Sequence, residues 1–69
     1  MSKKTMTLNL TEAEMTALEV LAQQKDLSKT SVLRQALRLY QKISVRLDQG
    51  DKLYFEDDDS KEKSEIVVL

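Results

Sequence analysis

The 69-residue chain has no cysteine, no histidine, no proline and no tryptophan, and Gly50 is its only glycine. Without cysteine there are no disulfides, and without cysteine or histidine the usual zinc sites are excluded. A chain this short buries too little apolar surface to stand comfortably alone, and its remaining remedy is oligomerisation. Aromatics are limited to Tyr40, Tyr54 and Phe55, so the core is expected to be built from Leu, Val, Met and Ala. No apolar run reaches the roughly 18 residues of a membrane helix. The basic N-terminus has no apolar stretch behind it, so a signal peptide is not expected. The lack of cysteine fits a cytoplasmic location.

The net charge of −1 conceals a division along the chain. Residues 1–47 carry eight basic against four acidic residues, or +4, and residues 48–69 carry three basic against eight acidic, or −5. Such a split points to a nucleic-acid-facing half and an acidic appendage.

Residues 4–10 alternate. Met6, Leu8 and Leu10 are apolar, and Thr5, Thr7 and Asn9 are polar. This is the period of a half-buried strand. Residues 11–47 have helical patterning, so the strand has no neighbour of its own kind in the N-terminal half. Its backbone groups must find partners elsewhere. A second copy of the chain supplies one. Two such strands, paired antiparallel, bury Met6, Leu8 and Leu10 and present Thr5, Thr7 and Asn9 as a polar ribbon, a shape that fits the DNA major groove.

Thr11-Glu12-Ala13-Glu14 has the form of a capping box. It predicts a first helix over about 12–24, with Met15, Leu18, Leu21 and Ala22 as its buried stripe. Asp26 tolerates the left-handed conformation that ends many helices, Leu27 plugs the core, and Ser28 caps the next helix. That helix is predicted over about 29–47. Leu33, Ala36, Leu37, Tyr40, Ile43 and Leu47 form its stripe, and Val32 and Leu39 widen it for packing against both its own chain and a partner. Gly50 suits the stop.

In this order, strand, capped short helix, Leu27-Ser28-Lys29-Thr30-Ser31 turn and longer helix, residues 3–47 resemble the ribbon-helix-helix repressors, in particular the CopG-like branch that includes many antitoxins. The resemblance implies a β-α-α fold in an intertwined homodimer, with the paired strands in the major groove of double-stranded DNA and higher-order assembly on DNA. It places base-reading residues on Thr5, Thr7 and Asn9, and a phosphate clamp on Ser28, Lys29 and Thr30. Lys3 and Lys4 add flanking charge. Met6, Leu8 and Leu10 with Leu33, Leu37 and Tyr40 would form the dimer core. The chain departs from the pattern at Asp26, where many members have glycine.

Base contact by Thr5, Thr7 and Asn9 competes with the plainer view that threonine favours strands and asparagine favours surfaces. Asn can bond adenine through two atoms, and Thr can touch a thymine methyl, but neither selects as strongly as Arg on guanine. Selectivity would therefore lean also on DNA shape. At Ser28–Ser31 capping comes first, and phosphate binding adds to it through the free N–H groups and the dipole of a helix start. Arg34, Arg38, Lys42 and Arg46 recur every four residues and read as a solvated face or as partners of the first helix's acids, with an extension of the basic footprint as the alternative. Glu56-Asp57-Asp58-Asp59 lacks the ligand spacing and glycine of a calcium loop and reads as a turn. Neither a metal, a cofactor nor an enzymatic site is expected.

The chain is expected to form two domains: residues 1–50 for DNA binding and dimerisation, and residues 51–69 as an acidic tail. The tail carries two apolar runs, Leu53-Tyr54-Phe55 and Ile66-Val67-Val68-Leu69, around the turn-prone Asp58-Asp59-Ser60-Lys61. They are expected to pair as a β-hairpin whose apolar face needs covering, by the dimer's own helices or by a partner. The expected function is a dimeric, sequence-specific transcriptional repressor. It is either a plain regulator or an autoregulating antitoxin whose tail grips a basic toxin. The rival from another class is a dimeric protein-interaction adaptor that does not bind DNA.

Overall fold

The capping box at Thr11 forms in full. The Thr11 Oγ accepts the Glu14 N–H, and the Glu14 carboxylate accepts the Thr11 N–H at 2.9 Å. The Thr11 backbone N–H first, and the Thr11 hydroxyl second, hold the Glu14 carboxyl below its ordinary pKa. In the computed structural model, which describes residues 3–68, this cap opens helix α1, Glu12–Lys25. The helix ends where Asp26 turns left-handed at φ 53°. The Leu27 N–H then reaches the Ala22 carbonyl, and the Asp26 N–H reaches the Gln23 carbonyl. This is the double bond of a Schellman stop, with aspartate where glycine is commonest.

Ser28 starts helix α2, Lys29–Asp48. Its hydroxyl oxygen accepts the Ser31 N–H, and its carbonyl accepts the Val32 N–H. The far end repeats the Schellman stop. The Gly50 N–H bonds to the Leu47 carbonyl and the Asp51 N–H to that of Arg46, with Gly50 at φ 90°. Strands β1, Leu53–Glu56, and β2, Lys63–Ile66, then form a two-stranded antiparallel sheet with Leu53 opposite Ile66 and Glu56 opposite Lys63.

The chain divides into two compact units, Met1–Gln35 and Ala36–Leu69. In the first, Leu18, Ala22 and Val32 are the buried residues, with Leu10 and Leu27 packed partly against them. The Schellman turn at Asp26 brings the first turn of α2 beside α1, so Val32 is buried. Leu33, expected on the stripe, is exposed, as are Met15 and Leu21. In the second unit Ile43, Leu47, Leu53, Ile66 and Val68 are half-buried.

Two expectations change. The order of elements is helix, helix, strand, strand, rather than strand first. Residues 3–10 lie in no helix or strand, and the sheet pairs β1 with β2 alone. The hairpin forms, but β2 begins earlier than the apolar run suggests. Lys63, Ser64 and Glu65 do the pairing, Ile66 ends the strand, and Val67 and Val68 lie beyond it. An exposed two-stranded sheet specifies register through its turn as much as through its apolar face. Leu69 lies outside the described residues.

Candidate nucleic-acid interface

Thr5, Thr7 and Asn9 are all exposed, as are Lys3 and Lys4. The apolar residues between them are exposed too, with Met6 at 80% and Leu8 at 51%. Leu10 differs. It packs against the small core of the first unit and is half-buried within its own chain. The segment is thus anchored at one end by Leu10 and the Thr11 cap, while its two other apolar residues lack cover.

At the start of α2, Ser28 is already committed to capping. Its hydroxyl also donates to the Ser31 hydroxyl at 3.0 Å. The N–H groups of Lys29 and Thr30 are left without intrahelical partners, as at any helix start. Lys29 is exposed, and its Nζ lies 3.5 Å from the Glu19 carboxylate. A surface pair of this kind is worth at most about 1 kcal/mol. Lys29 can therefore exchange Glu19 for a phosphate at small cost. Asp26, three residues earlier, puts a negative charge in the same turn.

Leu33, Leu37 and Tyr40 form a second set of uncovered apolar residues, with Leu37 at 69% and Tyr40 at 52% exposure. They recur at three- to four-residue spacing along α2 and share one face. Arg34, Arg38 and Lys42 are exposed, and among the described residues none of them forms an ion pair; Arg46 pairs with Asp51. That pairing raises the Arg46 pKa, through the hydrogen bond first and the charge second.

The acidic run resolves into a turn. The Asp57 carboxylate accepts the N–H groups of Asp59 and Ser60, which hold its pKa below the ordinary value, Ser60 contributing most. The Lys61 N–H returns to the Asp57 carbonyl, with Lys61 left-handed at φ 61°. On the hairpin, Phe55 is 72% exposed and Tyr54 is exposed as well, whereas Leu53 and Ile66 are half-buried; just beyond β2, Val67 is 72% exposed and Val68 half-buried.

The residues expected to meet DNA thus fall at two places in the first unit, the segment before α1 and the start of α2. Sequence reasoning missed the commitment of the Ser28 hydroxyl to Ser31 and of Lys29 to Glu19. The first was legible as a Ser-x-x-Ser start; the second needs the packing of α1 on α2. Among the described residues no helix is long and apolar enough to cross a membrane. Comparison with protein-family models, with curated proteins and with solved structures finds no match to this chain.

Proposed function

We propose that the chain acts as a homodimeric, sequence-specific DNA-binding repressor whose residues 4–10 pair with those of a second copy. The pair forms a ribbon that enters the major groove. One observation carries the reading: an alternating segment that belongs to no element of its own chain, with Met6 and Leu8 uncovered, lies directly before a tightly capped helix pair. Pairing would satisfy its backbone groups, bury Met6 and Leu8, and turn Thr5, Thr7 and Asn9 toward base edges. The uncovered Leu33, Leu37 and Tyr40 are in keeping with a helix that meets a partner helix. Lys3, Lys4 and the α2 start would hold phosphates.

Affinity in this reading is mainly electrostatic. Each neutralised phosphate contributes about 0.9 to the slope of log affinity against log salt. Fluorescence anisotropy on a mixed-sequence duplex over a salt series is the test. The parent should bind at low salt with a steep slope. Lys29→Ala should weaken binding to all duplexes alike and lower the slope by about 1 per subunit. No binding at low salt, or a slope the variant leaves unchanged, would contradict the assignment.

A second role, capture of a protein partner by the tail, is favoured by the paired hairpin with Tyr54 and Phe55 uncovered and Val67 uncovered just beyond it. In that version the chain is an autoregulating antitoxin, and the acidic tail suits a basic toxin. The adaptor reading keeps the hairpin and the dimer but gives the basic N-terminal half no task.

A further inference from the structure

A cleft of about 460 Å³ in the second unit is left unused by the DNA reading. Its lining includes three cations, Lys42, Arg46 and Lys52. Lys42 and Arg46 stand one helical turn apart on α2, about 6 Å along the axis. The left-handed Gly50 closes α2, and Lys52, two residues later, lines the same cleft. Arg46 is held by its Nε–H bond to the Asp51 carboxylate, which orients the guanidinium and leaves its other N–H groups available. The lining residues thus include three cations and no acid, and Asp51 offsets only Arg46.

The remaining wall is apolar. Ile43, Leu47 and Leu53 are half-buried there, and Tyr54 offers an aromatic ring. The volume falls within the roughly 300–1,000 Å³ of small-molecule sites, which combine an apolar lining with a few placed polar groups. A neutral apolar occupant would desolvate the ammonium groups without giving them a partner. A compact inorganic anion would leave the apolar wall wet.

We propose that this cleft binds a small organic anion, a carboxylate on an apolar ring or branched body. Lys42, Arg46 and Lys52 hold the carboxylate, and Ile43, Leu47, Leu53 and Tyr54 cover the body. The site joins α2 to the hairpin, so its occupant bridges the two elements of the second unit. The inference does not depend on DNA binding.

Naphthoate is a suitable probe, with the uncharged naphthamide of the same shape as its control. Titrated into the full chain and followed by amide chemical shifts, naphthoate should move residues 42–47 and 52–54 saturably. Naphthamide should bind roughly tenfold more weakly or worse, the scale of one lost charge-assisted hydrogen bond. Lys42→Gln with Lys52→Gln should cause a similar loss while the helical circular dichroism is retained. Arg38→Gln, outside the cleft, should bind as the parent does. Equal binding of the two probes would overturn the proposal. So would an undiminished affinity in the double variant, or shifts centred on Leu33, Leu37 and Tyr40 and lost on dimerisation.

Discussion

Leu37→Asp separates a lone chain from a dimer. In the single chain Leu37 is 69% exposed, and exposed substitutions of this kind usually change stability by no more than about 0.5 kcal/mol. If a second copy covers the face formed by Leu33, Leu37 and Tyr40, the change removes a buried leucine worth about 1.5–3 kcal/mol. A twofold dimer feels it twice, or about 3–6 kcal/mol, before the further cost of an unpaired carboxylate in apolar surroundings. Gln35→Asp is the control. It adds the same charge to the same helix, two residues away and therefore on a different face. Urea unfolding followed by helical circular dichroism, at two protein concentrations, gives the comparison. The parent midpoint should rise with concentration, Gln35→Asp should track it closely, and Leu37→Asp should be largely unfolded at micromolar protein. A Leu37→Asp midpoint equal to that of Gln35→Asp, with no concentration dependence in the parent, would refute the covered face.

Asp26 holds a left-handed conformation at φ 53° and ψ 48°. Such a residue costs about 1–2 kcal/mol, and glycine loses about 0.5–1 kcal/mol more chain entropy, so Asp26→Gly should stabilise the fold by about 0.5–1 kcal/mol. A thermal melt should show a rise of a few degrees, and a lower melting temperature would count against the strain at this stop. The Asp57 carboxylate is depressed in pKa by the N–H groups of Ser60 and Asp59. Its contribution to the hairpin is therefore present above the ordinary aspartate pKa and lost as pH falls through the lower folded value. Amide shifts of β1 and β2 should stay native-like at neutral pH and collapse only in acid. Asp57→Asn, which keeps an acceptor, should blunt that change; an identical acid transition in the variant would assign it to another group.

The capped ends of the helices were legible because each rests on a short local code. Thr11 with Glu14, Asp26 before Leu27, Ser28 and Gly50 all act where the sequence predicts. Burial was less legible. Of the residues expected on the two stripes, Leu18 and Ala22 are buried while Met15, Leu21, Leu33, Leu37 and Tyr40 are not, because one 69-residue chain supplies too few neighbours to cover both stripes. The hairpin was legible in its turn and first strand. Its second strand was displaced, because Lys63-Ser64-Glu65 pairs through the backbone and carries no apolar signal. The Lys29–Glu19 contact depends on how α1 meets α2, which periodicity does not encode.

Selection of bound duplexes from a fully randomised pool, with sequencing of the survivors, tests the central claim most directly. A dimeric ribbon reader should enrich a twofold-symmetric motif. Asn9→Ala should lose preference at one base position in each half-site, worth about 1–3 kcal/mol there, while the remaining positions keep theirs. A parent that enriches no motif, or an Asn9→Ala pool with the parent's preferences intact, would contradict the account.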